Sequence, residues 1–364
     1  MQKIFIAVIV PALLLAGLPL VGVLAAGKNV SRYCEFPPLT RYVAHAPFCW
    51  PLFVALVLLG LVVGGLFLRQ MSKGPPIQQS ITTTSHSLPW WAWLGLVLLT
   101  AGWIMAWNRF PWFAALQPHT FLPLWLGYIL VINGLTKVRT GACLLSCRPG
   151  FFLALFPLSA LFWWFFEYLN RFVQNWYYVG IEDFSPMAYV IHASLCFATV
   201  LPAVLSTEEL LASFPKLFGP LAASWVISGR GGRYPAIGLF ALSAVGLAGI
   251  GIWPDYLFPL LWLSPLLLVM TLQRMTGRAT ILAPLGRGDW RPVWLPALAA
   301  LCCGFFWELW NFGSHAHWEY SIPFVQKFHI FAMPVAGYLG YLPFGLECKA
   351  VAALLAEYLE GQNG

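Results

Sequence analysis

Charge is what this chain has least of. Asp, Glu, Lys and Arg together supply 9% of its 364 residues, where a soluble globular domain carries about 25%. So little charge cannot build a water-facing surface, and a soluble fold is excluded. The 20 basic residues outnumber the 13 acidic ones for a net charge of +7. They stand singly in the breaks between apolar runs and form no stripe that would track phosphates, so nucleic acid is not a partner. No run carries a ladder of arginines, which excludes a voltage sensor. The eight cysteines include no CxxC pair and no CxxCH haem signature. Seven histidines are too few for a desaturase-type di-iron site, and no serine-protease or Ser/Lys arrangement is in place. Ser228-Gly229-Arg230-Gly231-Gly232-Arg233 lacks the Lys-Ser/Thr ending and the preceding strand of a phosphate loop. It reads as a basic cytoplasmic turn. The residues leave any cofactor unknown, and with no soluble domain of usable size ATP-driven transport would need a partner chain.

What fills the sequence instead is apolar: 60% of its residues are hydrophobic. Runs of about 18 residues or more, enough to cross a ~30 Å hydrocarbon core as helix, recur along the whole length. They fall at 4–26, 49–69, 89–107, 119–135, 150–169, 186–205, 235–253, 255–273, 292–312 and 328–356. The expected fold is all-α, a polytopic transmembrane bundle of about ten helices. The first run is either a retained anchor or a cleaved signal peptide. With the N-terminus inside, 14 basic residues fall on the inner side and six on the outer, which predicts both termini in the cytoplasm and a place in the inner membrane. The loop from Cys34 to Cys49 then faces outward, where a disulfide is chemically permitted. The 19 tryptophans gather near run ends, as interfacial anchors or as surfaces on which a ligand stacks. Membrane lipids are therefore the immediate partners.

Four of these runs repeat. Phe121, Pro123 and Trp125 are echoed by Phe258, Pro259 and Trp262, and Thr140-Gly141 by Thr276-Gly277. Phe165-Phe166-Glu167 with Asn170 returns as Phe305-Phe306-Trp307-Glu308 with Asn311, and Trp176 with Tyr178 as Trp318 with Tyr320. The offset stays between 136 and 142 residues. Units with an even number of spans face the same way, so the repeat predicts two parallel halves about an axis along the membrane normal. The chain divides into an N-terminal two-helix segment, 1–88, a first four-helix repeat, 89–217, and a second, 218–364.

Inside these halves the candidate functional residues are acidic. Glu167 with Asn170, and Glu308 with Asn311, are spaced three apart, so each pair shares one helix face near the outer end of its span. A carboxylate at that depth needs a polar cavity or partners. It is either a working site or hydrogen-bonded glue between helices. In the last run Pro343 and the glycines 337, 340 and 345 loosen the helix, and Glu347 adds a carboxyl at depth. Tyr320, with Asn311, is placed to orient a substrate against Glu308 and Glu347. His315 and His317, beside Glu319 and His329, can hold Zn or Fe or are ordinary loop histidines.

Taken together, an acidic residue, a short gap, Trp-x-Tyr, and then a span ending in Leu-Pro and one or two glutamates resemble the repeated membrane domain of bacterial and archaeal-type lycopene cyclases, enzymes of carotenoid biosynthesis. The residues are Glu167, Trp176, Tyr178, Pro202, Glu208 and Glu209, and again Glu308, Trp318, Tyr320, Pro343 and Glu347, across about 45 residues of each copy. That family sets its paired glutamates two residues after the proline; here the gaps are six and four, and the second copy has one glutamate. The resemblance implies proton-initiated cyclisation of a polyene, with acidic residues facing an aromatic cavity between two halves. Three functions follow from the residues: an intramembrane enzyme acting on a lipid or isoprenoid, a carrier or channel for a lipid-linked or small solute, or a subunit bound to other membrane subunits.

Overall fold

The computed structural model describes residues 9–38, 41–73, 87–227 and 233–361. The glycine-rich segment 228–232, expected as a basic turn, and the first eight residues lie outside them. Among the described residues eleven helices run ten residues or longer. They are α1 (Val10–Ala25), α2 (Trp50–Lys73), α3 (Trp90–Trp107), α4 (Phe121–Thr140), α5 (Pro149–Val173), α6 (Pro186–Phe197), α7 (Val200–Ala212), α8 (Arg233–Gly249), α9 (Leu260–Met275), α10 (Arg291–Gly313) and α11 (Tyr341–Glu360). Seven segments are long and apolar enough to cross a membrane, α6 with α7 counting as one, and α1, α8 and α9 are shorter apolar helices. This is an all-α chain with the make-up of a multi-pass membrane protein.

Proline sets several boundaries. Pro149 and Pro186 open α5 and α6 in the first turn, where the missing N–H would have had no helical acceptor. Pro202 in α7 would drive its ring into the carbonyl four residues back, that of Ala198, and the helix breaks there between α6 and α7. The last span departs from expectation. Residues 329–334 form a short hairpin of β3 (His329–Ile330) and β4 (Met333–Pro334), and Val335–Gly340 is a 3-10 turn before α11 begins. Pro343 therefore sits in the first turn of α11 and does not loosen it. Gly345 is a packing glycine, since a Cβ there would stand 2.0 Å from the Pro296 carbonyl oxygen of α10.

Two more strands, β1 (Trp176–Val179) after α5 and β2 (His317–Tyr320) after α10, pair antiparallel with Trp176 opposite Tyr320 and Tyr178 opposite Trp318. Beneath them lies an aromatic layer. Trp125 of α4 packs on Trp307 of α10, and Trp262 of α9 on Phe166 of α5, both with ring centroids 5.0 Å apart.

The basic residues sort by end. At the strand end Lys28 reaches the carbonyls of Gly251 and Ile252 (3.1 and 3.2 Å), Arg171 that of Arg32 (2.7 Å) and Arg109 that of Gly313 (3.0 Å). At the opposite end Arg148 pairs with Glu360 at 3.2 Å, and Arg278 with Glu357. Lys28, Arg109 and Arg171 thus make their contacts at one end and Arg148 and Arg278 at the other. Cys34 and Cys49 are both free thiols: Cys34 closes the Ser31–Cys34 turn, while the Cys49 N–H bonds the Phe324 carbonyl.

Candidate functional site

Helical spacing carries Glu167 and Asn170 to one face of α5, and Glu308 and Asn311 to one face of α10, just below the strands. Each asparagine clamps the tryptophan that opens the Trp-x-Tyr motif. Asn170 Nδ2 donates to the Trp176 carbonyl (2.8 Å), and its Oδ1 accepts from the N–H groups of Asn175 and Trp176 (2.8 and 3.4 Å). Asn311 Nδ2 donates to the Trp318 carbonyl and its Oδ1 accepts the Trp318 N–H, both at 2.7 Å. The asparagines position the strands.

That clamp brings the tyrosine two residues on against the glutamate. Tyr178 donates to Glu167 Oε1 at 2.6 Å, and Tyr320 to Glu308 Oε1 at 2.6 Å. Trp163 and Trp176 also donate to Glu167 Oε1, each at 3.0 Å. Glu308 Oε1 receives the Tyr341 hydroxyl at 2.8 Å, while the Trp318 indole donates to the Tyr320 oxygen at 2.7 Å. Both carboxyls are fully buried, and the second oxygen of each has no hydrogen-bond partner among the described residues. Burial, and next the adjoining carboxyl, hold the Tyr178 and Tyr320 hydroxyls well above the usual tyrosine range. Both phenols therefore keep their protons and serve as donors.

A cavity of about 520 Å³ opens beneath the strand pair, inside the ~300–1,000 Å³ range of ligand pockets. Its wall is aromatic and aliphatic, and it contains Trp163, Trp176, Tyr178, Trp307, Trp318, Tyr320 and Tyr341. Glu167 and Glu308 are not on the wall: each stands one side chain behind it, linked to it by tyrosine and tryptophan. Proton transfer to a bound molecule would run through a phenol.

The other candidates are placed differently. Glu347 is buried on α11 but does not line the cavity. Among the described residues neither of its oxygens has a partner at hydrogen-bonding geometry, although the Leu266 backbone on α9 lies close by. Glu208 pairs with Lys349 at 2.8 Å, and Glu209 caps the turn at Leu144 N–H, also at 2.8 Å; neither is on the cavity wall. His317 lines the cavity, with Nδ1 2.8 Å from the His315 carbonyl and Nε2 3.6 Å from Glu319 Oε1. Among the described residues no cluster of three His, Cys, Asp or Glu side chains is arranged to hold a metal.

Several cavity residues carried no expectation from sequence. Trp163 lies four residues before Glu167, a helical spacing that points to it. His192 and Cys196 share a face of α6 at the same spacing, and His192 Nδ1 meets His119 Nδ1 at 3.1 Å. Tyr341 reaches Glu308 from 33 residues away, and no local pattern announces that.

No family model matches the chain, and neither a curated protein nor a solved structure does.

Proposed function

We propose that the chain is an intramembrane enzyme that holds a long apolar lipid of isoprenoid type in the aromatic cavity and acts on it by acid/base chemistry centred on Glu308. The observation that carries the reading is the link from a buried carboxyl to the cavity wall through phenols: Glu308 Oε1 takes the hydroxyls of Tyr320 and Tyr341, and both tyrosines line the cavity. With Glu308 in its acid form, a phenol can turn its proton to the bound molecule and take the carboxyl's, and the carboxylate so formed regains a proton by the reverse route when another carbon of the molecule releases one, which completes an isomerisation without any co-reactant. Ring closure of a polyene, the reaction implied by the likeness to lycopene cyclases, is chemistry of this kind.

Support for a duplicated four-helix architecture comes from the matched clamps. The Asn–Trp and Glu–Tyr bonds recur with the same partners at 2.6–2.8 Å, and each Trp-x-Tyr strand pairs with the other so that tryptophan faces tyrosine both ways. A rotation that exchanges two equivalent segments produces such reciprocal contacts. We read the two halves as parallel, with both termini on the cytoplasmic side of the inner membrane.

A bracing role for these residues has its own support, since the asparagine clamps serve the strands alone. The two readings separate on the Glu308→Gln variant. Lipids co-purified with wild type and variant are compared by mass spectrometry, together with extracts of the cells that express them. The enzyme reading expects a substrate to accumulate and its isomer to disappear in the variant, with the thermal midpoint shifted by a few degrees at most. Loss of the folded protein with no change in lipid profile favours bracing.

A further inference from the structure

Helix α2 is held unlike any other span. None of its apolar window is buried, whereas the other six spans bury 22% or more. It offers the bundle one narrow stripe at three- to four-residue spacing, with Phe53, Leu56, Gly60, Val63 and Phe67 half-buried and Gln70 buried. The stripe is fastened at both ends. Near the strand end the Cys49 N–H bonds the Phe324 carbonyl at 2.8 Å, and Phe53 packs against Phe48 and Phe328. At the far end Gln70 accepts the Trp294 indole N–H, and Phe67 packs on the same ring at 5.0 Å.

The middle is different. Here Leu56, Leu59 and Val63 form cavity wall. A Cβ at Gly60 would meet Leu339 Cδ2 at 3.3 Å, and one at Gly64 or Gly65 would meet nothing within 4 Å. α2 therefore crosses the cavity as a strap, tied at its ends and lightly seated between them. In a bilayer, parting such a seam is cheap, because lipid tails are as apolar as the leucines they would replace. Among the described residues the wall includes no Lys, Arg, Asp or Glu, and its only titratable nitrogens are the imidazoles of His192 and His317, so a charged group moving inside finds no permanent counter-charge for the water it loses.

We propose that the cavity receives an uncharged lipid sideways from the bilayer, through the seam between the middle of α2 and the Val335–Gly340 turn. This rests on the cavity being a lipid site, and it adds the route and the charge of the molecule admitted. Segments without charge on either side of the seam let a tail slide through without dehydrating a head group.

The test uses the full chain in phosphatidylcholine vesicles with all-trans-retinol, an uncharged isoprenoid alcohol that absorbs where tryptophan emits. Uptake is read as saturable energy transfer from the wall tryptophans. Gly60→Cys together with Leu339→Cys places two thiols where α2 touches the bundle. Oxidation or a short bis-maleimide joins them, mass spectrometry confirms the link, and the single variants control for native cysteines. Linking is expected to slow uptake about tenfold or more, and reduction of the disulfide to restore it. Gly64→Trp, which has room for its side chain, is expected to slow uptake without a link. Retinoic acid, ionised, is expected to bind about tenfold more weakly or worse. Uptake at the free rate by the linked protein overturns the route and leaves the lipid site standing. Equal binding of retinoic acid overturns the requirement for an uncharged molecule. No saturable uptake by wild type overturns the lipid site and this inference with it.

Discussion

Glu167 and Glu308 occupy matching places on α5 and α10, yet they are held in different ways, and the difference starts four residues upstream. Trp163 stands four before Glu167 and donates its indole N–H to the carboxyl from the same helix. The corresponding residue before Glu308 is Gly304, and a Cβ there would lie 2.5 Å from the Tyr341 ring. Glycine makes room for a tyrosine from α11, whose hydroxyl takes over the indole's bond to the carboxyl. Glu167 thus rests among two indoles and one phenol, Glu308 among two phenols. An indole N–H donates a hydrogen bond but does not ordinarily relay a proton, whereas a phenol does both. One half is suited to bracing and the other to chemistry.

The largest effect that can break this contrast is on turnover. Glu308→Gln is expected to lower conversion of the bound lipid about 10²-fold or more, the usual worth of a general acid or base, and Glu167→Gln less than about tenfold. Product formed by each purified variant in vesicles, read by chromatography, checks it. Equal losses would mean that both halves do chemistry.

A second comparison should show no asymmetry. Asn170→Ala takes a partner from the buried Trp176 carbonyl and the Asn175 and Trp176 N–H groups, and Asn311→Ala from the half-buried Trp318 carbonyl and N–H, at about 1–3 kcal/mol per orphaned buried group. Thermal midpoints in detergent are expected to fall by similar amounts. A loss confined to one half would show that the two strands are not interdependent.

Much of this was legible in the residues themselves. Ten apolar runs all appear as apolar helices, because the bilayer leaves the backbone few options besides internal hydrogen bonding. Spacing of three placed Glu167 with Asn170 and Glu308 with Asn311, and the Trp-x-Tyr motifs fell beside them. The start of the last span was misjudged because Met333-Pro334 and Val335–Gly340 are as apolar as a helix and differ from one only in backbone shape. Glu347 was expected in the cavity, but helical phase turns Leu346 to the wall and leaves Glu347 off it. Tyr341 was missed because its bond to Glu308 joins distant helices, and only the glycine at 304 hints at the space it fills.

That glycine gives the next prediction. Gly304→Ala forces a methyl against the Tyr341 ring, an overpacking worth about 1–3 kcal/mol, and should lower the thermal midpoint as well as turnover. Trp163→Ala at the matching place removes one of three donors to Glu167 and part of the cavity wall, and should weaken lipid binding more than it slows turnover of the bound lipid. If Gly304→Ala left activity intact, Tyr341 would not be needed where it stands.

The smallest effect decides which phenol works. Tyr341→Phe and Tyr320→Phe each remove one hydroxyl from Glu308 Oε1, a change of about 0.5–1.5 kcal/mol in stability, too small to unfold the protein. Their turnover need not be equal. Tyr320 is itself bonded by the Trp318 indole, at 2.7 Å, which holds its oxygen in place and occupies a lone pair. Tyr341 bonds Glu308 at 2.8 Å with the Tyr320 hydroxyl close by and no indole on its oxygen, and its ring forms the cavity wall next to Trp307 at 6.0 Å. The less encumbered hydroxyl is the better relay, so Tyr341→Phe is expected to approach Glu308→Gln in lost turnover while Tyr320→Phe falls short of it. The reverse order would move the relay to the strand and narrow the difference between the halves, because Tyr178 also offers Glu167 a strand hydroxyl.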